Sequence, residues 1–229
     1  MNLRSAVTKI NKRNMLLVFP VNNRKDIASL WNEFFPRKKM RWEWDESGDN
    51  SVAELWHLRE RLSTSNQVVY SKWFRNRATL ISQSTFTALL KALNPQLPHV
   101  SGLSFEAREV LDFLEEDSPL STKQLKKIAD LTGRENEARY QRALKELWAR
   151  GLIVAYGEVD EGAFPSLAIG ATQLIFEDLW NDAVKLSHDR AQTQIQSDLA
   201  EHESFLKYFN QLVKQAALAA NVEDASDSE

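Results

Sequence analysis

Helix, helix, longer helix, then two strands around a short acidic turn: that order, written in Leu103 to Gly170, predicts a helix-rich α+β fold carrying a winged helix-turn-helix. Two further observations agree. Glycine is scarce, at 7 of 229 residues, which suits a helix-rich chain with few tight turns. Residues 67–81 alternate around Arg75-Asn76-Arg77, which predicts a β-hairpin in a small mixed α/β module ahead of the winged helix. The expected division is that module over 1–97, a winged-helix domain with a packing helix over 103–185, a helical extension over 186–220, and a disordered acidic tail over 221–229.

Within 103–170, Ser104 precedes FEAREVLDFLEE, where Phe105, Val110, Leu111 and Leu114 make one apolar face. Asp117-Ser118-Pro119 ends that helix. Ser121-Thr122-Lys123-Gln124 reads as a capping box, in which the Ser121 hydroxyl accepts from the third helical N–H and Gln124 reaches back. Leu125, Ile128, Ala129 and Leu131 supply the stripe of a short second helix, and Thr132-Gly133 turns the chain. The third helix is predicted over 134–150. Tyr140, Ala143, Leu144, Leu147 and Trp148 share one side, and Arg134, Ala138, Arg142, Lys145 and Ala149 the other. Gly151 suits the left-handed cap. Leu152 to Tyr156 has strand content, 157–162 is the candidate wing, and 164–169 the returning strand, with Pro165 at its start or edge.

An outer helix face of Ala and Arg fits a DNA major groove, where small residues permit close approach and Arg pairs with guanine or phosphate. Ordinary solvated charges give the same pattern, and winged helices also make protein contacts. The charge count opposes DNA: 103–170 holds nine Lys and Arg against thirteen Asp and Glu. Glu158, Asp160 and Glu161 in the wing would repel a phosphate backbone.

Hydrophobic residues make up 43% of the chain, ample for a core, and seven Trp with eleven Phe make part of it aromatic. No cysteine means no disulfide framework and no thiol chemistry, as in a reducing compartment. No apolar run reaches the roughly 18 residues needed to span a membrane, and the N-terminus lacks a signal-peptide pattern, so a cytoplasmic protein is expected. There is no phosphate-binding glycine loop, no Cys or His metal cluster and no Ser/His/Asp arrangement, so neither cofactor, metal nor catalytic residue is assigned.

Residues 1–41 carry ten Lys and Arg against Asp26 and Glu33. Met15 to Phe19 is a predicted strand. Asp26 is the expected cap of a helix over 27–35, with Ile27, Leu30, Trp31 and Phe34 on one face. The basic run Arg37-Lys38-Lys39-Met40-Arg41 suits either a phosphate contact or a solvated turn. Glu43, Asp45 and Glu46 offer acid/base chemistry or neutralise that run. Ser51 is expected to cap a helix whose stripe is Val52, Leu55, Trp56, Arg59 and Leu62; His57 lacks a second His at ligand spacing. In VVYSKWFRNRATLI, from Val68 to Ile81, Lys72, Arg75 and Arg77 interleave with Tyr70, Trp73 and Phe74. This is the second nucleic-acid candidate, or a half-buried hairpin with its polar face in solvent. A helix opens at Ser82 or Ser84, and Pro95 with Pro98 marks a linker. After Gly170, a helix from Thr172 or Gln173 should pack through Leu174, Ile175, Leu179 and Trp180. The 186–220 stretch suggests a long helix, broken near His202, that packs weakly or contacts a protein partner.

Val68 to Leu90, VVYSKWFRNRATLISQSTFTALL, followed by the 103–170 pattern, resembles the central part of the AlkZ/YcaQ family. That resemblance implies a bacterial DNA glycosylase fold of tandem winged helices around a β-rich module, acting on alkylated bases and interstrand crosslinks. The family's catalytic Gln-x-Gln or Gln-x-Asp sits in an early winged helix, which the first 65 residues here do not show. Gln192-Thr193-Gln194 has the letters but lies in a polar C-terminal helix, so catalysis is not carried onto it. A shorter AlkZ-related form is implied, which keeps DNA affinity without glycosylase chemistry.

Three readings follow. The first is a non-catalytic, repair-associated protein that meets double-stranded DNA through Arg134, Arg142 and Lys145, helped by Lys72, Arg75 and Arg77. The second is a base-excision enzyme, and the third an interaction scaffold that contacts a partner through its C-terminal helix. None requires a membrane.

Overall fold

The structure, a computed structural model, describes residues 1–42, 50–159 and 166–226. Its centre is a three-stranded antiparallel sheet of β1 (Met15–Leu17), β2 (Val69–Ser71) and β3 (Thr79–Ile81), in the order β1-β3-β2. Ile81 pairs with Met15 on one side and Val69 on the other. Side chains alternate across a strand, and here each face meets its own apolar core. Leu16, Tyr70 and Leu80 enter one; Met15, Leu17, Val69 and Ile81 enter the other. The hairpin expected over 67–81 is present. Its anticipated solvent-facing side is not, because Val69, Tyr70 and Ser71 are all buried.

The first core is closed by α1 (Leu3–Arg13), α3 (Ser51–Ser63) and the unit that follows residue 103. That unit contains α5 (Phe105–Glu116), β4 (Leu120–Ser121), α6 (Thr122–Ile128), α7 (Glu137–Arg150), β5 (Ile153–Val159) and β6 (Ser166–Ala171), with its own sheet in the order β4-β6-β5. Ser104 caps α5, and the Ser121–Gln124 capping box forms with both of its bonds. Gly151 takes the left-handed cap of α7 at φ +69. Phe105 is 70% exposed rather than packed, because it is the first residue of α5 and precedes the buried stripe of Ala107, Val110, Leu111 and Leu114. The third helix starts at Glu137, after Asn136, so Arg134 lies just ahead of it.

The second core is closed by α4 (Gln83–Leu93), α10 (His188–Asp198) and α11 (Glu203–Ser226). The break at His202 is as expected, but weak packing is not what forms there. Ala191, Ile195, Leu199, Phe205 and Phe209 are buried, and the Phe205 ring meets Phe74 edge-on with centroids 4.8 Å apart. Polar bonds pin the break. Thr85 Oγ1 donates to Asp198 at 2.7 Å, Asn14 donates to the Asp198 carbonyl at 3.1 Å, and a His202 ring nitrogen lies 3.0 Å from the Arg13 carbonyl. The sparse apolar residues were thus enough, because nearly all of them point the same way onto α4 and the hairpin.

Smaller differences have local causes. α2 (Leu30–Phe34) is capped by the Ser29 hydroxyl, while Asp26 pairs with Arg24 at the surface. Asn50, not Ser51, precedes α3 and makes no side-chain cap. The helix after Gly170 is split at Phe176 into α8 (Thr172–Ile175) and α9 (Glu177–Lys185), leaving Leu174 49% exposed. α11 continues through Ser226, into the stretch expected to be disordered, and 227–229 lie outside the described residues. Between α4 and α5, Arg150 donates to Asn94 Oδ1 at 2.9 Å and to the Ser101 carbonyl at 2.7 Å, and Asn94 returns a bond to the Arg150 carbonyl at 2.9 Å. No helix among the described residues is long and apolar enough to cross a membrane.

Phe205→Ala tests whether α11 is core. Truncating a buried Phe costs about 3–5 kcal/mol, read as a lower urea midpoint. A change below about 1 kcal/mol, typical of a surface position, would make α11 peripheral.

Candidate nucleic-acid interface

Arg59 sits where α3, the hairpin and β5 meet. Helical spacing sends Val52, Leu55, Leu58 and Leu62 into the core and aligns Trp56, Arg59 and Ser63, three and four residues apart, along the flank. Arg59 is only 5% exposed. Its guanidinium lies 4.0 Å from the Trp56 ring centroid and 5.6 Å from that of Tyr70, donates to the Tyr70 hydroxyl at 3.4 Å, and forms an ion pair with Glu158. Burial pushes the Tyr70 phenol above its ordinary pKa.

Glu158 reaches Arg59 because β5 is irregular. The β5–β6 register shifts between Ala155 and Glu158, with Gly157 at φ +80 in the bulge. The Gly157 N–H donates to Ser63 Oγ at 3.0 Å, and a Cβ there would come within 3.2 Å of the Thr64 methyl. A bulge re-aims the side chain beside it, and here Glu158 turns inward onto α3. One of the three acids expected to repel a phosphate backbone is therefore neutralised inside the fold. Asp160 and Glu161 lie outside the described residues.

Above Arg59 opens a cleft of about 670 Å³. Phe19, Trp42 and Trp56 contribute rings, Lys72 and Arg77 cations, and Asn22 and Asn76 amides. Phe19 and Trp42 pack with centroids 5.0 Å apart. Asn22, Asn23 and Asn76 all have positive φ, a conformation asparagine tolerates better than most residues. Asn23 clamps Met40, accepting from its N–H at 2.7 Å and donating to its carbonyl at 3.0 Å. Lys72 is half-buried. Burial first, and then the neighbouring Arg59 charge, hold its ammonium below the ordinary lysine pKa, and no carboxylate among the described residues offsets them.

A second cleft of about 340 Å³ shares Lys72, Asn76 and Leu167 with the first and continues to α6 and α7 through Lys123, Lys126 and Gln141. The joined groove holds Arg59, Lys72, Arg77, Lys123 and Lys126 against Glu158 and Glu137. Glu137 pairs with Lys126, and Tyr140 is fixed by donating to the Thr122 carbonyl at 2.9 Å.

The residues singled out from sequence fall into two sets and two separate residues. Lys72 and Arg77 come together in the groove. Arg75, between them in the turn, points elsewhere: its guanidinium stacks over Phe74 at 5.3 Å and Tyr208 of α11 at 6.0 Å. Arg142 and Lys145 are exposed on α7 and line a different hollow, of about 580 Å³, facing α11. At 100° per residue Arg142 is about a quarter turn from Gln141, and Lys145 about 40° from it. Arg134 is exposed ahead of the helix. Arg59, Lys123 and Lys126 were not singled out. Arg59 did carry a signal: it sits in the apolar stripe of a helix, where a cation needs a buried partner.

Other candidates fall away from the groove. Gln192 lies 3.3 Å from the His188 ring and Gln194 donates to the Ser84 carbonyl at 3.3 Å, both tied into the α10–α4 packing. His57 is exposed, and Glu43, Asp45 and Glu46 lie outside the described residues. Among the described residues, no three His, Cys, Asp or Glu converge in a metal-binding group.

A helix-rich α+β fold with a basic, aromatic-lined groove is the class of structure that sequence comparison then narrows. The model of the family described as AlkZ related matches residues 1–214, and the chain belongs to that family. No curated protein and no solved structure matches the chain.

Glu158→Ala leaves Arg59 buried without its carboxylate and should cost about 3–5 kcal/mol in urea unfolding, whereas replacing the pair together, R59M with E158L, should recover most of that loss. A loss below 1 kcal/mol for the single change would show that the pair does not organise the cleft.

Proposed function

We propose that this protein is a winged-helix DNA-binding protein associated with DNA repair, which holds duplex DNA along the groove from the hairpin turn to α6. The order α5, β4, α6, α7, β5, β6 supports the winged-helix reading, and membership of the AlkZ-related family supports the link to repair. The observation that carries DNA binding is the continuity of the two clefts through Lys72 and Asn76. Cations from the hairpin and from α6 thereby face one channel, as tracking a phosphate backbone requires. Arg142 and Lys145, on the next face of α7, and Arg134, just ahead of that helix, extend the contact as the duplex passes. Inward pairing of Glu158 removes one of the repulsions that the sequence raised against this reading. No catalytic residue is assigned.

A protein partner is the second reading. It is favoured by the hollow beside α11, whose walls include Leu93, Leu212 and Val213.

Anisotropy of labelled duplex across a salt series tests the proposal. Log affinity should fall with log salt by about 0.9 per phosphate neutralised. K72Q/R77E should weaken binding at least tenfold and reduce the slope by roughly two phosphates' worth. R142E/K145E should weaken it by a smaller factor. Unchanged affinity in K72Q/R77E would remove the groove from the interface.

A further inference from the structure

The groove explains the cations but not the aromatic half of the larger cleft. A duplex backbone needs no aromatic platform, yet two tryptophans stand at the rim, Trp42 at 62% and Trp56 at 37% exposure. Exposed Trp is unfavourable unless its face has a use, and stacking against a base is the use such rings serve in nucleic-acid sites. Trp56 is held from below by the Arg59 guanidinium at 4.0 Å, and Arg59 is itself fixed by Glu158 and Tyr70. The ring is therefore a rigid platform, which lowers the ordering cost of binding. Beside it, Lys72 is half-buried next to Arg59, and no carboxylate among the described residues balances it, an arrangement that an anion would complete. Arg77 brings a second cation to the same wall, and Asn76 presents an amide capable of both donating and accepting. The volume, about 670 Å³, falls in the range of small-ligand sites, about 300–1,000 Å³.

We propose that this cleft is a nucleotide site: it takes one aromatic base on Trp56 with the attached phosphate on Lys72 and Arg77. The same chemistry is offered by a free nucleoside monophosphate and by one unstacked nucleotide of a strand. The site shares Lys72 and Arg77 with the groove proposed above, but it does not depend on duplex binding.

The test is titration of the full chain, followed by tryptophan fluorescence, with deoxynucleoside 5′-monophosphates, the matching nucleosides, inorganic phosphate, and an oligothymidylate strand. Saturable quenching by a monophosphate or by the strand is expected, with the nucleoside and inorganic phosphate each at least tenfold weaker than the monophosphate. Trp56→Ala should weaken nucleotide binding at least tenfold in calorimetry while leaving the thermal midpoint unchanged. Should that variant unfold, Trp42→Ala and Arg77→Ala carry the same expectation from exposed positions. K185A, on the exposed face of α9 and outside the cleft, should bind nucleotide as the unaltered chain does. Tighter binding of the strand identifies a strand nucleotide as the occupant, and tighter binding of the monophosphate a free one. Absence of saturation by either, or binding that no cleft variant weakens, overturns the proposal. Failure of the unaltered chain to bind duplex, with nucleotide binding intact, overturns only the groove reading, and duplex binding without saturable nucleotide binding overturns only this one.

Discussion

All three residues of β3 are fully buried, and Leu80 points into a different core from Ile81. That sheet, covered on both faces, sets the positions of everything else. Sliding any of its strands by one residue would exchange the side chains entering the two cores, so register is tightly specified. The hairpin turn must then emerge at one place. On one side of it Trp73 and Phe74 lock against α11, with Tyr208 edge-on at 5.1 and 5.3 Å. On the other, Lys72 and Arg77 open onto the cleft. A turn that would otherwise be a mobile tip is anchored from behind by aromatic packing, which gives its cations fixed positions.

The Arg59–Glu158 pair joins this sheet module to the unit after residue 103. A buried ion pair is a weak source of net stability, because desolvation offsets most of the attraction. Its value here is geometric. It fixes β5 against α3, backs the Trp56 ring and pairs the groove's Glu158 carboxylate with a cation. The Asn94–Arg150 bonds make a second join at the far end of α7. With both ends of that region tied, the hairpin cations and α6 face a common channel.

Much of this was legible in the sequence where local chemistry decides structure. Ser104, Ser121 and Gly151 marked helix ends because capping depends on a few adjacent residues. The hairpin and the break at His202 were likewise readable from short patterns. What could not be read was the partner of each face. The polar-looking C-terminal stretch became core because its few apolar residues found α4 and the hairpin, a long-range event with no local signature. Arg59 looked like part of an apolar stripe, and only the bulge at Gly157, 98 positions further on, supplied its carboxylate. The groove was half legible: Lys72 and Arg77 were singled out, but Arg75 beside them was not separable, since turn geometry decides which way each points.

Hydrogen exchange with and without bound duplex DNA addresses the central claim most directly, because it locates the contact without altering the chain. Slowed exchange is expected at residues 72–78 and in the first turn of α6, with α10 unchanged. Protection confined to α11, or none at either groove segment under saturating duplex, would contradict it.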